Sequence, residues 1–146
     1  MRYFVLSPEV AAMGLGEHTV MDRSTHPPKV SHLHFDFDVW LGDDLIEAFP
    51  CFVVTTQLAD EMRKHTFSGY ELKAVEISTS DMFRDFQNLH PDRELPEFVW
   101  LDITGTAGTD DFGVNKEGRL VVSEDAFAVL KAAHLDNCEV SEFVKA

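Results

Sequence analysis

Cysteine is scarce in this chain: 146 residues contain only Cys51 and Cys138. Two thiols do not make a disulfide scaffold, and the default for such a pair is buried thiol in a reducing compartment. Long apolar runs are absent, and none approaches the ~18 residues of a membrane span. The opening segment Met1 to Glu9 is too short an apolar run for a signal peptide and lacks a small-residue cleavage site, so a cytoplasmic location is expected. Positive charge is sparse as well. Twelve Lys and Arg face 26 Asp and Glu, a formal net charge of −14. A chain so charged repels nucleic acid and anionic membrane and attracts cationic surfaces. The eight glycines build no phosphate loop and no Gly-x-Gly-x-x-Gly. Neither Ser7 nor Ser123 sits in a Gly-x-Ser-x-Gly elbow. No cofactor is implied, and the expectation is a protein without catalytic activity.

What is present is apolar and aromatic. Hydrophobic residues make up 45 % of the chain, 12 of them Phe, which excludes disorder as the main state. The length suits a single domain over 1–146, of class α+β, with a mixed or antiparallel sheet and short helices. The acids are unevenly spread. Val30 to Met62 holds seven and no Lys or Arg; Glu94 to Asn115 holds five and again no base. Two such stretches suggest one acidic face, provided the fold brings them together.

The chain also echoes itself at an offset of 68 residues. Val53-Val54-Thr55-Thr56 falls on Val121-Val122-Ser123-Glu124, and Phe67 to Leu72 falls on Leu135 to Val140. Each copy reads as a strand, a hydroxyl N-cap, a short helix, a residue suited to positive φ (Gly69, Asn137) and a second strand. Asp43-Asp44 and Asp110-Asp111 echo each other too, shifted by one residue. The expected repeat spans 31–76 and 97–144.

Other elements follow from local pattern. Arg2 to Leu6 reads as a strand, and Pro8 to Lys29 mostly as loop. Ser31 to Val39 alternates, with Leu33, Phe35, Phe37 and Val39 on one face and His32, His34, Asp36 and Asp38 on the other, as in a half-buried strand. Asp43 or Asp44 is placed to cap a short helix through Ala48, ahead of Pro50. Ser80 caps a helix from Asp81 to about Leu89 with Met82, Phe83 and Phe86 as its apolar stripe. Phe98 to Thr104 reads as a strand, and Gly105 to Gly118 as a long loop or hairpin connection.

Candidate chemistry is limited. His32, His34 and Asp36 share one strand face and form a possible metal-ligand set for a metal-dependent hydrolase, with His26 as an added ligand and His18 further off. The plainer reading is a polar strand face. Asp43-Asp44 and Asp110-Asp111 could work as acid and base or bind a cation, yet they lack the oxygen spacing of a calcium loop; capping explains each locally. Cys51 has no base predictably near it. Trp40 and Trp100 read as core or edge anchors, since no basic residues surround them for nucleic-acid stacking.

The run Leu120-Val121-Val122-Ser123-Glu124, the apolar helix after it and Leu135 to Val140 resemble the closing motif of bacterial immunity protein family 11, typified by a myxobacterial protein. Asp38-Val39-Trp40-Leu41-Gly42-Asp43-Asp44-Leu45 is similar to such proteins as well. The resemblance covers about half of the chain. It implies neutralisation of a polymorphic toxin by direct binding, in competition between bacteria, and carries no catalytic residues. Charge points the same way, because an acidic protein is steered to a cationic cleft. The expected toxin-binding residues are Asp36, Asp38, Asp43, Asp44, Asp110 and Asp111, with Trp40 or Phe112 as an aromatic anchor. The metal-dependent hydrolase and a non-catalytic scaffold or regulatory module stand as alternatives.

Overall fold

Hydroxyl side chains start the three helices seen in the computed structural model, which describes residues 2–11, 14–25, 28–92 and 94–144. The elements run β1 (Tyr3–Ser7), β2 (Glu9–Val10), β3 (Val20–Asp22), β4 (Lys29–His32), β5 (His34–Phe37), β6 (Leu45–Ala48), β7 (Cys51–Thr55), α1 (Thr56–Arg63), β8 (Tyr70–Lys73), β9 (Glu76–Thr79), α2 (Asp81–Leu89), β10 (Phe98–Ile103), β11 (Phe112–Val114), β12 (Leu120–Ser123), α3 (Glu124–Lys131) and β13 (Glu139–Glu142). Thr55 Oγ1 accepts from the Leu58 amide at 3.2 Å, Ser80 Oγ from Phe83 at 3.3 Å and Ser123 Oγ from Ala126 at 3.2 Å. Each hydroxyl thereby satisfies an amide that a helix start leaves unpaired. The class is α+β.

Two larger sheets carry the molecule. One has four antiparallel strands in the order β11-β12-β1-β13; the other has five in the order β2-β6-β7-β10-β8. The second is antiparallel except where β2 runs parallel to β6. Their connectivity matches. In each, a hairpin (β6-β7 or β11-β12) leads into a capped helix (α1 or α3), and a further strand (β8 or β13) returns one place away. The vacant place between is filled from elsewhere, by β10 in one unit and by β1 in the other. The two units also reach into each other. The chain leaving β1 adds β2 to the edge of β6, and the chain leaving β10 forms a parallel bridge from Thr106 to Val114 in β11. The second unit is thus completed by the N-terminal strand. Phe98 to Ile103, within the span 97–144 expected for the second copy, lies in the first unit's sheet.

Both faces of the five-stranded sheet are covered, which is why β7 is buried along its whole length. Phe52 and Val54 point into a core shared with Leu6, Leu58, Met62, Leu101, Phe112, Val122 and Leu130. Cys51 and Val53 point the other way, with Ile46, Phe35, Phe37, Phe83, Phe98 and Trp100. The parallel pair β5-β9 and helix α2 cover that second face.

Several sequence expectations are corrected. The segment after Asp43-Asp44 is strand β6, not a helix, because Leu45, Ile46 and Ala48 are all buried between two cores and pair with β7. Ser31 to Val39 is not one strand: it breaks at Leu33, β4 pairing with β3 and β5 with β9. The described part of Pro8 to Lys29 is mostly loop, as expected, with the short β2 and β3 inside it, and Gly105 to Gly118 is a loop that ends in β11, the first strand of the β11-β12 hairpin. Gly69 does adopt positive φ, at 95°, and a Cβ there would collide with Phe112 O; Asn137 does not, and instead donates to Asp43. On α2 Phe83 is buried, whereas Met82 faces solvent.

Candidate functional site

Three of the four paired aspartates, Asp43, Asp44 and Asp111, link the two units by hydrogen bonds. Asp44 Oδ1 accepts the Thr55 hydroxyl at 2.8 Å, and its Oδ2 accepts the His134 amide at 2.9 Å. Asp111 mirrors it: Oδ1 accepts the Ser123 hydroxyl at 2.7 Å, and Oδ2 accepts the Ser68 amide at 3.0 Å. Each carboxylate therefore holds the cap of its own unit's helix and the chain leaving the other unit's helix. A hydroxyl that accepts from a helix amide must point its hydrogen elsewhere, and the aspartate receives it. Asp43 is fully buried and accepts from the Asp136 and Asn137 amides at 3.1 and 2.8 Å. Asp110 Oδ2 takes the Thr106 amide at 2.8 Å.

These placements correct the proposed contact face. Asp43 is inaccessible, and Phe112, with no exposed surface, cannot anchor a partner. Trp40 is half-buried, its indole N–H bonded to Asp43 O at 2.9 Å. Asp36 and Asp38 lie on the β5-β9 face, where Ser78 and Ser80 donate to them at 2.7 and 2.6 Å. From the two acidic stretches, Asp44 and Glu61 on one side and Asp111 on the other line a groove of about 910 Å³ between α1 and α3. Gln57, Glu61 and His65 from the α1 side and Asp125, Val129 and His134 from the α3 side form its walls. The sequence reading missed Glu61, His65, Asp125 and His134; the offset of 68, which places Gln57 opposite Asp125 and Glu61 opposite Val129, was the signal for them.

A second polar cluster surrounds Glu76. Its Oε2 is 2.6 Å from His18 Nδ1 and 3.9 Å from His34 Nε2, and its Oε1 is 3.0 Å from His32 Nε2. The His18 ring stacks on His34 at 4.7 Å between centroids. Gly16 leaves room for the His34 ring, since a Cβ there would clash with it. Hydrogen bonds from His32 and His18 hold the Glu76 carboxyl down to about 2, and the same bond to Glu76 raises His18. Among the described residues His18, His34 and Glu76 have ligand atoms within 4.8 Å of one another, so the metal set expected at His32, His34 and Asp36 is not the one that assembles. Asp36 reaches His34 only through Ser78. His26 lies outside the described residues. The His18 amide donates to His34 Nδ1 at 3.2 Å, so Nε2 carries the proton and donates to Ser78 Oγ at 2.7 Å. A metal on Nε2 would require both bonds to be undone. The arrangement is that of a hydrogen-bonded cluster rather than a ready ligand set.

The thiols offer no nucleophile. Burial pushes Cys51 up to about 12 and Cys138 up to about 11. Thiolate is what reacts, and neither site favours it. No described helix is long and apolar enough to cross a membrane. No protein-family model, curated protein or solved structure matches the chain.

Proposed function

We propose that this is a non-catalytic immunity protein that binds and neutralises a cationic bacterial toxin. One observation carries the reading. Only Glu9, Asp43 and Asp44 among the 26 acids are buried, so the fold consumes few of them and the surface keeps a large negative excess. That excess favours encounter with a basic protein and opposes contact with nucleic acid. Toxins that act on nucleic acid are basic for the converse reason. The absence of an activated thiol and the saturated His34 add support for a binding role over a hydrolytic one.

The test is affinity purification of the tagged protein from its native host with washes of rising salt. The expected result is a near-stoichiometric basic protein that arrests growth when expressed alone and is harmless when co-expressed. A partner that is acidic, or basic but harmless, defeats the toxin reading. Release by salt indicates exposed charge pairs, and retention indicates a more buried contact.

A further inference from the structure

We infer that the groove between α1 and α3 receives an arginine-bearing segment of a cationic protein. This rests on the toxin-binding reading and gives it a location. Three accessible carboxylates line the groove, from Glu61, Asp111 and Asp125, with the mostly buried Asp44 beside them, and no Lys or Arg does. Asp44 and Asp111 accept hydrogen bonds but form no ion pair among the described residues, so their charges are fixed in place and uncompensated by a cation. Asp125 is exposed and likewise has no ion-pair partner among the described residues. Glu61 is bonded to Lys64 at 2.8 Å, but both are more than half exposed, and such a pair is readily exchanged.

The cation fits arginine better than lysine. The His65 ring lies flat on Phe67, with centroids 5.0 Å apart and planes 9° from parallel, and both line the groove. A guanidinium stacks on such a surface and presents two N–H groups to a carboxylate; an ammonium does neither. Val129, Ala132 and Ala133 supply apolar surface for the stem of the side chain and its neighbours. Helices of eight residues are ~12 Å long, which suits a short segment rather than a broad face.

The experiment titrates the isotopically labelled full chain with a synthetic amphipathic helical peptide carrying Leu and Arg, and with its Lys and Glu counterparts. Amide shifts are expected to concentrate over 57–67 and 125–134, with the Lys peptide several-fold weaker and the Glu peptide silent. Glu61→Lys combined with Asp125→Lys, both surface changes, is expected to weaken the Arg peptide by at least about tenfold while leaving the rest of the amide spectrum in place. Shifts centred on another acidic surface, such as Asp81 and Asp85 of α2, overturn the inference; so does unchanged affinity in the double variant, or no binding at millimolar peptide. If the peptide occupies the groove but no harmful basic protein exists in the host, the site stands and the toxin reading falls. If a toxin binds and ignores the double variant, the toxin reading stands and this site falls.

Discussion

Asp44 and Asp111 show how much one carboxylate can organise. Each receives a helix-cap hydroxyl from its own unit and a backbone amide from the other. Asp44→Ala leaves the Thr55 hydroxyl and the His134 amide without an acceptor. Hydrogen bonds to a charged group are worth about 1.5–3 kcal/mol, so a loss of roughly 2–4 kcal/mol is expected in urea unfolding. A loss under about 0.5 kcal/mol, the range of ordinary surface substitutions, would show that water replaces the carboxylate there. Glu76 gives a pH signature. Its carboxyl is lowered from 4.5, so its contribution is present above that value and fades as pH falls toward 2. His18 is raised from 6.5, so its contribution is present below 6.5 and is lost as pH rises through the raised value. The pair therefore contributes most between about pH 4.5 and 6.5. Melting temperatures of Glu76→Gln and the parent, compared from pH 4 to 8, are expected to differ most inside that window. An equal difference at every pH would remove the ion pair as the cause. Since His34 has both ring nitrogens engaged, equimolar zinc is expected to leave the melting temperature unchanged; a rise of several degrees would show that the cluster around Glu76 does rearrange to hold a metal.

Among the elements, the helices were the most legible. A hydroxyl before a run with helical spacing specified α1, α2 and α3 from local information alone, and α2 runs over Asp81–Leu89 as expected. Ser80 both caps α2 and donates to Asp38 at 2.6 Å, joining the helix to β5's extension. Ser80→Ala is expected to cost about 1–2 kcal/mol, typical of cap removal, read from chemical unfolding. No measurable change would mean that α2 is held by Phe83 and Phe86 alone. Strand β6 was misread for a physical reason. Acids ahead of Leu45-Ile46-Glu47-Ala48 look like a cap, but these aspartates bond to segments some 90 residues away. Such partners leave no trace in a local window. The metal set failed similarly. His32 and His34 were visible as neighbours in sequence, but the carboxylate that meets them comes from β9.

At the scale of the whole molecule the two units are mutually dependent. β1 sits between β12 and β13 in one sheet and continues into β2 on the edge of the other. Leu6, on β1, is fully buried in the core that both units share. Leu6→Ala is expected to cost about 2–5 kcal/mol, the range for a buried leucine. Fluorescence and circular dichroism are expected to report one coincident transition, as a shared core requires. Two separated transitions would mean that the units fold independently.

The sequence by itself determined the α+β class, the three helix starts, the negative surface and the echo at 68 residues, because capping, charge and strand propensity act over a few neighbours or by simple sum. Only the tertiary structure decided which acids are internal. Asp43 and Asp44 look like surface charge in the chain, and become buried acceptors because amides from 134, 136 and 137 arrive at them. It also decided that the N-terminal strand completes the second unit, and that α1 and α3 meet to form the groove. Long-range pairing selects among partners that local pattern leaves equal, and hydrogen-bond satisfaction in a closed core makes that selection.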